Sequence, residues 1–185
     1  QDFIRLVGLD QRRKLAAQEI LGIDFEISSK AMEKGIQCEQ IAIDLLNRVR
    51  GTSLIKNSER RDNGFITGEC DLFDEERKRG HDIKCSCSAA TFPILTIDCL
   101  DKLYEWQMRC YMMLWDAEEW SVDYCLVDTP DQLIGYEPLT MHSFGHIAEH
   151  HRVTSWVIQR DRAKEDAIAD AAQKSRLARV GAESV

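Results

Sequence analysis

The sequence predicts an α/β (α+β) fold, a central mixed β-sheet flanked by α-helices, on three observations. Two stretches of helical periodicity, from Ser28 or Ser29 to Arg50 and from Asp98 or Asp101 to Trp115, bracket the middle of the chain. Between them, two short apolar stretches bounded by turn residues read as neighbouring strands, Ile66 to Phe73 and His81 to Ser86. Two more strand-like stretches follow, Ser121 to Val127, closed by Thr129-Pro130, and Val153 to Ile158.

Taken in order, a first helix is expected from about Asp10, a natural N-cap, to Leu21, stopped by Gly22. The second ends at Gly51. Its apolar positions Met32, Ile36, Ala42, Ile43, Leu46 and Val49 recur at helical spacing, and Glu39 falls inside that stripe. Ser53 to Lys56 reads as a strand, Asp62-Asn63-Gly64 as a turn, and the charged run Asp74 to Gly80 as a second reversal, giving an antiparallel meander. Ser86 to Pro93 is expected to be a loop whose Ser86, Ser88 and Thr91 serve either in turns or as donors to phosphate. On the third long helix, Leu100, Leu103, Gln107, Tyr111 and Leu114 share a face, and Gln107 and Tyr111, four apart, can meet tip to tip. A last helix is expected from about Asp161 to Val180. With no repeat, linker or low-complexity block, residues 1–185 are expected to form a single domain.

Composition narrows the class. At 185 residues and 44% hydrophobic content, the chain can bury a substantial core and does not have the makeup of a disordered one. Its apolar runs are too short to span a bilayer and its start lacks the pattern of a signal peptide, so a cytoplasmic protein with no membrane partner is expected. The seven cysteines include no C-x-x-C pair and no zinc-like spacing. Cys70, Cys85 and Cys87 alternate away from Asp71, Asp82 and Lys84 and read as small core residues in a reducing compartment. A net charge of −8 argues against general coating of nucleic acid, with basic groups confined to Arg12 to Lys14, Lys56 with Arg60 and Arg61, and Arg77 to Arg79. His142 and His146 are four apart but have no third zinc ligand in view, and His81 points off the Asp82 face. The four tryptophans read as core or interface residues rather than base-stacking platforms.

Chemistry concentrates on the two middle strands. Alternation sets Asp82, Lys84 and Ser86 on one face, with Ile83, Cys85 and Cys87 on the other, and gives Glu69 and Asp71 a common face. If the strands pair, two carboxylates and an ammonium converge, an arrangement that calls for a cation and suits hydrolysis of a phosphodiester. Taken alone, Asp82 and Lys84 could be a surface ion pair, Glu39 a helix-edge glutamate reaching water, and Gln107 and Tyr111 rim residues. Their order along helix, strand, strand and helix is what joins them.

That ordered set resembles the PD-(D/E)XK nuclease superfamily, in the branch of lambda exonuclease, YqaJ-like viral recombinases and RecB-type nuclease domains. The residues are Gly35-Ile36-Gln37-Cys38-Glu39, Gly68-Glu69-Cys70-Asp71, Asp82-Ile83-Lys84 and Gln107-Met108-Arg109-Cys110-Tyr111. The strand acid before Ile83-Lys84 is aspartate rather than the commoner glutamate, and Cys70 stands where proline is usual. The resemblance covers roughly residues 34–127 and implies a restriction-endonuclease-like core.

It further implies a metal-dependent deoxyribonuclease, an exonuclease on double-stranded DNA ends in phage-type recombination or repair. A structure- or sequence-specific endonuclease, or a catalytically silent DNA-binding recombination partner, are its alternatives. By the same resemblance Asp71 and Asp82, with the Ile83 carbonyl, bind Mg²⁺ or Mn²⁺, and Glu39 holds a second ion or its water. Lys84 orients the attacking water and stabilises charge on the phosphate, and Gln107 with Tyr111 positions the DNA strand or Lys84. Glu69 is the rival for Asp71's place. A single-strand annealing protein and further copies of the chain are the protein partners it suggests, in a bacterial or phage-infected cell.

Overall fold

In the computed structural model, residues 29–64 and 66–182 are described. The helix expected over Asp10 to Leu21 lies outside them. Residues 29–161 form one compact unit. Its first element is helix α1, Lys30–Arg50, whose N-cap Ser29 accepts the Met32 amide at 3.3 Å and whose C-cap Gly51 takes a left-handed φ of 66°. Strands β1 (Arg60–Asp62) and β2 (Thr67–Glu69) form an antiparallel hairpin around Asn63-Gly64. Strands β3 (Leu72–Asp74), β4 (Arg79–Cys85), β5 (Glu119–Cys125) and β6 (Val153–Gln159) form the main sheet in that spatial order. Helix α2, Lys102–Trp115, crosses from β4 to β5, so that pair is parallel, while the pairs β3-β4 and β5-β6 are antiparallel. This is the expected mixed sheet.

The two long helices take opposite faces of it. Cys38, Ala42, Ile43, Leu45 and Leu46 of α1 pack on Leu72, Ile83, Cys125 and Val127. Met108, Met112 and Trp115 of α2 pack with Cys70, Trp120, Val122 and Ile158 on the other face. Gly80 is required here by close approach, since a Cβ on it would stand 2.3 Å from the Trp120 indole. A short helix α3, Asp131–Ile134, precedes β6. The second unit is represented by helix α4, Arg162–Ala182, where Arg162 lies 3.4 Å from Glu165. No described helix is long and apolar enough to cross a membrane.

Four local expectations change. The stretch Ile66 to Phe73 is two strands in two sheets, because the Asn57 side chain and amide capture the carbonyls of Cys70 and Asp71 at 3.1 and 2.7 Å and take them out of any ladder. Ser53 to Lys56 is no strand, since Leu54 gives its amide and carbonyl to the Asn47 side chain. On α1, Met32 and Ile36 are exposed, and the buried ridge runs instead through Lys34, whose ammonium donates to Thr129 Oγ1 at 2.8 Å and the Cys87 carbonyl at 3.2 Å. On α2, Leu103 and the preceding Leu100 are exposed, and Met108, Arg109 and Met112 are buried in their stead.

Candidate active site

The main sheet has an open edge at β4, and the expected acids gather there. The last paired rung of β3 and β4 is Leu72 opposite His81. One residue further, Asp71 turns its carboxylate into the ladder and accepts the Ile83 amide at 2.6 Å. A strand residue sends its amide and carbonyl to the same edge, so the Ile83 carbonyl leaves β4 on the side that Asp71 occupies.

Asp82 and Lys84 stand on the α2 face, as alternation required. The Asp82 carboxylate is buried, and its Oδ2 lies 2.7 Å from Lys84 Nζ. Beyond that ion pair, no hydrogen bond among the described residues reaches this oxygen. Burial and the neighbouring Asp82 push the Asp71 carboxyl up to about 6, against the pull of the Ile83 amide. Burial likewise raises Asp82, against the pull of Lys84. For Lys84, burial alone would lower the ammonium, but Asp82 beside it more than compensates and raises it. Asp82 thus favours the charged form of Lys84, which is seated over the Tyr104 ring at 4.5 Å.

Glu39 comes from the opposite face. Its carboxylate is within electrostatic reach of Asp71 and forms an ion pair with Lys56, on the loop after α1. Gln107 donates to the Tyr111 hydroxyl at 3.1 Å, and Tyr111 is in turn within electrostatic reach of Asp82 and Asp71. Burial raises the Tyr111 hydroxyl, which keeps it protonated and able to donate. The Tyr111 ring rests on Gly68, where a Cβ would stand 2.7 Å from it.

The arrangement presents a buried carboxylate, Asp82, and a half-buried one, Asp71, with one cation beside them. Among the described residues, no three His, Cys, Asp or Glu side chains meet as a ready-made metal cage. A hard divalent ion held by two carboxylates, a carbonyl and its own waters needs no such cage, and Mg²⁺ in particular keeps several waters. The donor set fits such an ion: Asp71, Asp82 and the Ile83 carbonyl would all offer oxygen on one edge, and among the described residues the buried Asp82 Oδ2 is met only by Lys84.

The fold resembles that of a phage-related exonuclease from Haemophilus somnus 129PT, with a TM-score of 0.79, and the two chains are 36% identical over 89% of this chain and 78% of that one. The chain belongs to the phage-related exonuclease family. This family member also shares its fold with an alkaline exonuclease (LHK-Exo) from Laribacter hongkongensis, at 17% identity over 94% of this chain and 79% of that one, with a TM-score of 0.62. The complex of LHK-Exo with dAMP matches similarly, at 20% identity and a TM-score of 0.60 over 94% and 80% of the two chains. No protein-family model matches the chain, and no curated protein does.

Of the six side chains singled out in the sequence, the structure brings Asp71, Asp82 and Lys84 together, joins Gln107 to Tyr111 beside them, and holds Glu39 at the edge through Lys56. Glu69 is set apart from Asp71: it ends β2 and faces Arg60 at 3.8 Å. Ser88 and Thr91 bond to each other in a short turn, whereas the buried Ser86 Oγ, on the Asp82 face, has no hydrogen-bond partner among the described residues. His142 is buried between Thr129 and Glu137, each at 3.0 Å, and is not set up as half of a zinc pair.

Sequence reading missed three contributors. Lys56 was visible only as part of a basic run, and Tyr104 only as a helix residue. Nor did the sequence signal the buried set behind β4, where Asp123 accepts from His81 Nδ1 at 2.8 Å, from Ser121 at 2.9 Å and from Ser155. Burial alone would raise the Asp123 carboxyl, but these partners hold it below its ordinary value.

Proposed function

We propose that this chain is a Mg²⁺- or Mn²⁺-dependent exodeoxyribonuclease that hydrolyses phosphodiester bonds from double-stranded DNA ends. The single observation that carries the chemistry is the meeting of Asp71, Asp82, Lys84 and the Ile83 backbone at one open sheet edge; membership of the phage-related exonuclease family favours attack from an end. Asp71, Asp82 and the Ile83 carbonyl would hold the ion, with Glu39 binding a second ion or a water. The bound ion supplies charge to the scissile phosphate and acidity to the attacking water.

The remaining work falls to the protein. Lys84, whose ammonium Asp82 favours, would serve by charge, aligning the water and stabilising the phosphate oxygens. Tyr104 beneath it and Asp82 beside it fix the ammonium. Tyr111, aligned by Gln107, offers a proton to the strand backbone, and the unbonded Ser86 hydroxyl is a second donor on the same face. Digestion of linear duplex against covalently closed circles, with Mg²⁺, tests the reading. Linear DNA alone should be degraded, and Asp82→Ala and Lys84→Ala should each abolish that activity. Activity that survives both substitutions overturns the mechanism, and cleavage of closed circles replaces the exonuclease with an endonuclease.

A further inference from the structure

We propose that Lys56 is a DNA-phosphate contact of this site, held on Glu39 until Glu39 turns to a divalent ion. The inference rests on the metal-dependent nuclease reading. Among the basic residues from 56 to 79, Arg60, Arg61, Arg77, Lys78 and Arg79 are paired to Glu69, Glu59, Asp74, Glu75 and Glu119, all outside the proposed ligand set. Lys56 alone of that group is paired to a proposed ligand, Glu39.

Its backbone is fixed on both sides. Leu54 is clamped to α1 by Asn47 at 2.8 and 3.0 Å, and Asn57 binds the Cys70 and Asp71 carbonyls, so the loop is tied to the very break that aims Asp71. The Lys56 side chain is half exposed, in contrast to Lys84, and it also lines a surface groove of about 470 Å³ with Gln40, Arg48 and Ser53. Asp44, the one acid of that groove, is engaged by Gln40 at 2.9 Å.

The electrostatics then make Glu39 a two-way partner. A divalent ion beside Glu39 competes for its negative charge, which weakens its hold on the half-exposed Lys56 ammonium. Once Glu39 turns to the ion, Lys56 is left as a solvated cation beside the site, and a phosphate is the strongest acceptor that DNA brings there. Ion binding and DNA binding would thus favour each other through one side chain.

Salt titration of binding to a fluorescein-labelled linear duplex tests this, with Ca²⁺ as a stand-in that takes the same oxygen ligands. A phosphate contact steepens the fall of log affinity with log salt by about 0.9, which is roughly a 3.5-fold difference over a fourfold range of salt. In Ca²⁺, Lys56→Gln should lower the slope by that amount, and Lys56→Arg should restore it. In EDTA, Lys56→Gln should leave the slope unchanged, because Glu39 already holds the lysine. Glu39→Gln should add the missing increment in EDTA, and Glu39→Gln with Lys56→Gln should not. A Lys56→Gln effect that is equal in Ca²⁺ and EDTA, or absent from both, overturns the proposal. Cleavage of the same duplex by wild type in Mg²⁺ separates the two readings: if it cleaves, only the Lys56 role falls, and if it neither cleaves nor binds, the nuclease reading falls and takes this role with it.

Discussion

Asp71 is raised from 3.8 to about 6 by burial and by Asp82. Because its folded value lies above its unfolded one, the folded chain binds more protons than the unfolded chain between them, and stability falls as pH rises through that window. At about 1.4 kcal/mol per unit, holding Asp71 ionised in the ion-free fold costs about 3 kcal/mol above pH 6 and almost nothing below about pH 4. Asp82 contributes with the same sign, whereas Lys84, raised from 10.5, stays protonated throughout. Asp71→Asn removes the charge and keeps an oxygen for the Ile83 amide. In EDTA near pH 7.5 the variant should therefore unfold about 3 kcal/mol later than wild type, or roughly 6–12 °C higher for a chain of this size. That gap should shrink as pH is lowered towards 4. Mg²⁺ should stabilise wild type and leave the variant little changed. Thermal unfolding followed by circular dichroism reads both, and a variant less stable than wild type at every pH in EDTA would refute the electrostatic account of the site.

Other outcomes follow from the same geometry. Mg²⁺ affinity, followed by calorimetry, should weaken as pH drops through about 6, because Asp71 must release its proton to bind the ion. Lys84→Met should destabilise the ion-free protein by about 3–5 kcal/mol in urea unfolding, since it leaves the buried Asp82 charge unpaired, and Asp82→Asn added to it should recover much of that loss. Asp123→Ala should cost about 3 kcal/mol or more by leaving His81, Ser121 and Ser155 without their buried acceptor. With Asp123 held below its ordinary value, that stabilisation is present at neutral pH and lost as pH falls through its folded value. Gly68→Ala should push the Tyr111 ring aside and lower kcat for duplex digestion while leaving KM nearly unchanged.

Much of this was legible in the chain because the relevant signals are local. The caps Ser29 and Gly51, the Asn63-Gly64 turn and the alternation of Asp82, Ile83 and Lys84 each fix a neighbour a few residues away. The gathering of the acids also followed from two strands pairing. What the sequence hid depends on tertiary partners. Lys34 sits in a core ridge because Thr129, 95 positions away, receives its ammonium. The apparent strand through Cys70 and Asp71 is broken by Asn57, whose side chain carries no strand or helix signal. Glu69 and Asp71 could not be ranked by alternation, which no longer applies once the ladder stops between them. The partner of Glu39, Lys56, lies 17 positions away on a loop and has no periodicity to reveal it.

The Ile83 amide offers a way to watch the site form. In an uninterrupted antiparallel pair that amide would go to a backbone carbonyl of β3, and here it goes to the Asp71 side chain. The acid has replaced a rung of the sheet, so the same amide cannot serve a longer β3 and a competent carboxylate at once. Its proton resonance and exchange rate should then report directly on whether Asp71 is in place, residue by residue and without any substrate. A sequence change that extended β3 by one rung would leave a well-folded sheet with no site in it.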